Sequence, residues 1–357
     1  MNHERMLALA LVVAGLALII AGPLLPGDEH TLINDPPRTG HVTDLARADD
    51  GSILVGTQHG ELWRLADGTW GRVGIDLDEQ PVTALSADLA GDPREGPIGT
   101  SGGLINGPAG LPPVNEPVTD EAATAAGLVV ATADGLLVQS DGAWRRQLAG
   151  VHVYRLEPQR VGGSDYLHAG TIDKGVFTAA VANLGEWRPN ADGLPEHANV
   201  FSFVITDGGR LIAGTSAGLF WQAAPGERWQ PLKVGLERSR MLSLYLEPPV
   251  DGQQRLWVGG DQRLFRVGLQ EDAAGIEALS YAETVAGPDD GLRYGVSWIA
   301  PFTDGVMFSS GSVYQFGSFG LAGWYWVSLV GVALLLLGGW LLPSRTTDKP
   351  KRDVLAG

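Results

Sequence analysis

The sequence predicts an all-β fold, a seven-bladed β-propeller flanked by one N-terminal and one C-terminal transmembrane helix. Three observations predict it. One phrase, an apolar run, a small pair such as Gly-Thr, then a second apolar run, is written seven times. Turn formers are abundant, with 50 glycines and 22 prolines in 357 residues, more punctuation than helices tolerate. Two long uncharged apolar segments bracket the repeats.

The elements follow in chain order. Residues 1–5 form a short N-terminus. "MLALALVVAGLALIIAGPLL", residues 6–25, carries no charge and has the twenty or so residues needed to cross a bilayer. Signal peptides also begin this way, but Ile19 would stand three residues before a cut near Gly22, a poor fit. Residues 26–319 hold the propeller. "LAGWYWVSLVGVALLLLGGWLLP", residues 321–343, is the second uncharged span, with Trp324, Tyr325 and Trp326 at one end and Trp340 at the other as interfacial anchors. The tail, residues 344–357, carries Arg345, Lys349, Lys351 and Arg352. By the positive-inside rule it is cytoplasmic, and Arg5 puts the N-terminus on the same side. The expected location is therefore a bacterial inner membrane, with the propeller in the periplasm or its equivalent.

The repeats centre on Gly56-Thr57, Gly99-Thr100, Ala131-Thr132, Gly170-Thr171, Gly214-Thr215, Gly259-Gly260 and Ser309-Ser310, at intervals of 43, 32, 39, 44, 45 and 50 residues. A period near forty in an all-β phrase predicts four-stranded blades around a channel. The small pair is expected where neighbouring blades crowd. Before each phrase lies a short apolar element, as in "VTDL", "VTAL", "VYRL", "VFSF", "MLSL" and "VSWI", expected to line the channel. Val118–Thr124 must serve in the third blade. Asp50-Gly51, Asp207-Gly208, Asp251-Gly252 and Asp304-Gly305 mark hairpins between the first two strands. Trp70, Trp144, Trp187 and Trp229 mark outer strands whose indoles pack between blades. Blade two lacks that tryptophan and has the proline-rich "GPAGLPPVNEP" instead. The blades are expected over residues 40–77, 78–115, 116–150, 151–195, 196–236, 237–290 and 291–319. Blade seven lacks an outer strand, and an open edge invites aggregation. "HTLIND", residues 30–35, is expected to close the ring.

The phrase "LIAGTSAGLFW", with "LVQSDGAWRRQ" and "LGEWRPNADGL" as eroded Ser-x-Asp-x-Gly-x-x-Trp boxes, resembles the bacterial neuraminidase repeat, and within it the photosystem II stability and assembly factor sub-family. "LWVGGDQRLF" also resembles the repeat of two-component regulator propellers. The resemblance runs over most of residues 40–319. It implies a propeller; those repeats are structural and imply little about function. The assembly factor has an arginine-rich patch and no pair of spans, whereas here arginines are scattered over an acidic domain. Sensor propellers continue into a kinase, whereas only about fourteen residues follow the second span here.

Catalytic patterns are weak. A sialidase needs an arginine triad with a tyrosine nucleophile, and no spacing singles out Arg293-Tyr294 or Tyr154-Arg155. Asp49-Asp50 and Asp289-Asp290 precede glycines and read as turns rather than glycosidase carboxylates. His59, His152, His168 and His197 form no metal-ligand motif. "GTSGGLING" lacks the Gly-Lys-Ser/Thr of a phosphate loop. With no cysteine, disulfides and thiol chemistry are excluded. No catalytic, cofactor or metal residue is predicted.

Residues 28–319 hold 38 acids and 20 bases, a net −18, which argues against nucleic acid and anionic lipid as partners. In the first span Ala10, Ala14, Ala17 and Ala21 put small side chains on one helical face, and Ser328 and Gly331 offer a weaker counterpart in the second. Such a seam packs the spans together or against another membrane protein. The expected function is a non-enzymatic accessory subunit or assembly factor of an integral membrane protein complex. The alternatives are a ligand- or carbohydrate-sensing propeller and a glycoside hydrolase. Arginines or carboxylates clustered in the channel would favour either alternative.

Overall fold

The computed structural model describes residues 3–22, 30–31, 41–48, 50–85, 94, 96–140, 143–302, 305–317 and 324–341. The chain divides into two compact units, Met1–Thr31 with Phe316–Gly357, and Leu32–Gln315.

The strands are β1 (His30–Thr31), then β2 (Val42–Arg47), β3 (Ile53–Thr57), β4 (Leu62–Ala66) and β5 (Thr69–Val73) in the first sheet. The second sheet has β6 (Val82–Leu85), β7 (Ile98–Thr100) and β8 (Gly103–Ile105) only. The third has β9 (Val118–Thr124), β10 (Gly127–Thr132), β11 (Gly135–Ser140) and β12 (Ala143–Gln147). The fourth has β13 (Val153–Val161), β14 (Ser164–Thr171), β15 (Val176–Ala180) and β16 (Arg188–Pro189). The fifth has β17 (Val200–Ile205), β18 (Leu211–Thr215), β19 (Gly218–Gln222) and β20 (Gln230–Leu232). The sixth has β21 (Met241–Leu246), β22 (Gln253–Gly260), β23 (Arg263–Glu271), β24 (Ile276–Ala278) and β25 (Glu283–Ala286). The seventh runs in the order β1, β28 (Val313–Gly317), β27 (Gly305–Ser309), β26 (Trp298–Phe302).

The first strands touch in sequence, β2 to β6, β9, β13, β17, β21 and β26, and β26 returns to β2. That closed circuit is a seven-bladed propeller. His30–Thr31 is the outermost strand of the last blade; residues 32–35 of the expected closing segment lie outside the described residues. Blade two has no fourth strand among the described residues, where the proline-rich stretch interrupts the pattern. Pro108, Pro112 and Pro113 cannot donate to a ladder.

The repeated phrase has a local cause in each half. Its threonine is fully buried and its hydroxyl donates to a carbonyl across the turn: Thr215 Oγ1 to Gly218 O at 2.8 Å, Thr132 to Gly135 at 3.1 Å, Thr171 to Gly175 at 2.7 Å. The glycine beyond the turn takes a positive φ, 105° at Gly218 and 100° at Gly135, where a side chain is strained. The glycine of the pair faces the next blade. A Cβ on Gly99 would lie 2.7 Å from Val118 Cγ1, on Gly170 3.0 Å from Val200 Cγ1, and on Gly259 2.8 Å from Val296 Cγ1. In six blades the ladder opposite this pair slips by one residue at the start of the first strand, a β-bulge that re-aims side chains there.

The core is a set of apolar layers, each shared by adjacent blades. Val42, Leu45 and Val55 pack on Ala300, Met307 and Val313, with Trp70 at the margin. Trp144 joins the layer of blades two and three, Trp187 that of blades three and four, and Trp229 that of blades four and five. Trp229 is 1% exposed and its Nε1–H donates to Asn190 O at 2.8 Å.

The other unit contains α1 (His3–Ala21) and α2 (Trp324–Leu341). They pack antiparallel, Gly15 against Gly331 and Ala8 beside Gly338. Cβ atoms on Gly15 and Gly331 would lie 2.6 and 2.7 Å from the opposite backbone oxygen. Ala8 and Gly15 on one helix, and Gly331 and Gly338 on the other, each stand seven residues apart and are buried. Among the described residues no helix is long and apolar enough to cross a membrane. Helices of 19 and 18 residues at about 1.5 Å per residue are a few ångströms short of a ~30 Å hydrocarbon core.

Candidate functional site in the propeller channel

In each blade one first-strand residue stands opposite the leading residue of the small pair. Around the ring these are Asp44, Ala84, Asp120, Arg155, Ser202, Ser243 and Trp298. The bulged ladder thus gathers two acids, an arginine and a tryptophan at one level, from segments more than 250 residues apart.

Arg155 is the centre of the group. Its guanidinium carbon lies 3.9 Å from the Trp298 ring centroid, and its Nη1 lies 3.6 Å from Asp120 Oδ1. Trp298 is fixed in turn, its Nε1–H donating to Thr43 O at 3.2 Å. Blade four therefore meets blades three and seven. Tyr154 and Phe201 stand edge to face at 5.6 Å on the neighbouring first strands.

The acids double as staples between blades. Asp120 accepts from Leu156 N–H at 2.7 Å and from Glu121 N–H at 2.9 Å. Asp44 accepts from Leu45 N–H at 2.7 Å, and the Leu85 backbone also favours its charged form. Burial pushes the Asp44 carboxyl up to about 8, against the pull of Arg155. Burial likewise raises Asp120, and lifts Glu157 on β13 to about 8. The same burial raises Tyr154 and lowers His152. At neutral pH the site thus holds one guanidinium among carboxyls of which two are largely protonated.

Elsewhere the predicted residues take structural places. Asp50 accepts from Ser52 N–H at 2.9 Å, and Asp290 from Gly287 N–H at 2.8 Å, so both are turn caps; Asp49 lies outside the described residues. His168 is buried between Thr178 Oγ1 and Gln159 Oε1, each at 2.8 Å, and burial lowers it to about 4, so it stays neutral. Its network continues through Asn190 to Gln222 beneath a cavity of about 390 Å³ lined by Tyr166, Thr178 and Asn190. Among the described residues no three His, Asp or Glu are grouped to hold a metal ion.

On the helices, Ala10, Ala14, Ala17 and Ala21 lie on the exposed side of α1, and the contact with α2 runs instead through Ala8 and Gly15. Ala10, Ala14 and Ala17, with Met6, Leu9 and Val13, line a shallow apolar groove. Ser328 is partly buried and Gly331 is in the seam. Trp326 and Trp340 are exposed at 68% and 81%; only the backbone is described at Trp324 and Tyr325.

No family model and no curated protein matches this chain. Solved structures do. YCF48 bound to a D1 peptide is similar at 17% identity and a TM-score of 0.56, covering 83% of this chain and 99% of that one. An ancestral GH74 enzyme is similar at 15% identity and a TM-score of 0.60, over 80% of this chain and 46% of that one. The extracellular domain of a hybrid two-component system from B. thetaiotaomicron is similar at 13% identity and a TM-score of 0.54, over 81% and 42%. The chain spans under half the length of the last two. At these identities the likeness establishes the β-propeller fold alone.

Proposed function

We propose that the chain is a membrane-anchored, non-enzymatic propeller that serves as an accessory subunit or assembly factor of an inner-membrane protein complex. The observation that carries this reading is the apolar surface of the helix pair. Away from their mutual contact, α1 exposes Val13 at 59% and Ile20 at 67%, and α2 exposes Leu336 at 71%. A helix apolar on every side is stable in a protein core or a bilayer. A shortfall of a few ångströms is met by local bilayer thinning or by flanking residues, at modest cost. Antiparallel packing fits two cytoplasmic termini and a propeller outside. Partner binding is supported by the apolar groove along Ala10, Ala14 and Ala17, and by the peptide held in the similar YCF48 structure.

Topology is directly testable because the chain has no cysteine. In intact cells with a permeabilised outer membrane, an impermeant thiol reagent should label Ser216→Cys and spare Thr347→Cys. Labelling of Thr347→Cys alone would invert the topology, and equal labelling would remove the anchoring.

One observation favours a second reading, a ligand-sensing propeller: the channel cluster of Asp44, Asp120, Arg155 and Glu157. The similarity to a GH74 enzyme keeps hydrolysis testable, and assay of the purified chain on glucan and sialoside substrates is expected to show no turnover.

A further inference from the structure

Arg155 has five N–H donors, and among the described residues the contacts around it use few of them. Its Nη1 stands 3.6 Å from Asp120 Oδ1, a contact that engages only one edge of the guanidinium. Its flat face is taken by Trp298, which accepts no N–H in that geometry. The side chain is only 18% exposed, and buried donors without acceptors are costly. The surroundings add more orphans. Among the described residues, Thr43 Oγ1 and His152 Nε2 are buried without a hydrogen-bond partner.

We propose that the channel at Arg155 is a binding site for a carboxylate, gripped by the guanidinium edge and flanked by the rings of Trp298, Tyr154 and Phe201. A carboxylate matches a guanidinium fork with two parallel hydrogen bonds. The aromatic rings give an apolar body something to lie against, and Tyr154 is 38% exposed, so the site is reachable from solvent. The neighbouring acids Asp44 and Glu157 repel such a guest little at neutral pH, because burial raises both carboxyls to about 8. Asp120 keeps Arg155 oriented without saturating it. A cationic guest fits less well: Arg155 already occupies the Trp298 face and the Asp120 carboxylate that a cation would need. The inference gives the ligand-sensing reading its ligand class and does not depend on membrane anchoring.

Calorimetry on the full-length chain in detergent micelles tests this with three probes: benzoate, a blocked hexapeptide with one aspartate, and benzamidinium. The expected result is saturable binding of benzoate or the peptide, lost by more than tenfold in Arg155→Met and weakened severalfold in Trp298→Phe. Benzoate binding identifies a free acid as the guest; binding of the peptide alone identifies a carboxylate carried on a polypeptide. Arg155→Lys keeps the charge without the fork and should fall between the wild type and Arg155→Met, which guards against a folding defect in the methionine variant. The proposal is overturned if neither carboxylate saturates, if benzamidinium binds in preference, or if both arginine variants bind as the wild type does.

Discussion

Thr215 has no solvent exposure, donates to Gly218 O and accepts from Ala217 N–H at 3.0 Å. Thr215→Val keeps its shape and strands both partners in the core, so it should cost about 1–3 kcal/mol, read as a lowered urea midpoint at unchanged slope. Asp44 makes a pH prediction. Its carboxyl is raised from 3.8 to about 8 in the folded chain. Stability from the protonated form is complete below the unfolded value and is lost as pH rises through the folded one. The thermal midpoint should therefore fall between pH 5 and pH 9, and Asp44→Asn should flatten the fall, leaving a remainder from Glu157. A wild type that gains stability over that range would contradict the assignment. At this scale the sequence was half legible. "VTDL" and the "VTD" of Val118–Asp120 display an acid at the same place in two apolar strands, which is a visible signal. Nothing in the spacing reveals that Arg155 reaches Trp298, because that contact depends on ring closure.

At the scale of elements, the repeated phrase was the most legible feature, since each copy is set by its own turn: a hydroxyl bond, a left-handed glycine and a close approach. The helix seam was the least. Two small-residue stripes run along α1, one through Ala10, Ala14 and Ala17, the other through Ala8 and Gly15. The seven-residue interval of Gly331 and Gly338 on α2 matches both, since Ala10 and Ala17 also stand seven apart, and only Gly15, as a glycine, admits the closer backbone contact. Gly15→Leu should therefore separate the helices and speed amide exchange along both, while Ala14→Leu should leave exchange unchanged. The opposite pattern would return the seam to the alanines.

At the scale of the whole molecule, seven blades follow from counting phrases, but closure depends on a two-residue strand far from its sheet in sequence. His30–Thr31 covers the edge of β28. Deleting residues 30–35 should expose that edge, lower the thermal midpoint and promote aggregation; an unchanged melt would make the segment a linker. On the proposed function, the chain holds a membrane partner while its propeller stays folded. The most direct test of this is gentle detergent extraction of the wild type and of an Ala14→Leu, Ala17→Leu double variant, followed by native mass measurement and a melting curve for each. The wild type should migrate with an integral membrane protein, the variant should lose that protein, and both propellers should melt alike. A wild type that emerges as a single copy, or a variant that keeps the same companion, would contradict it.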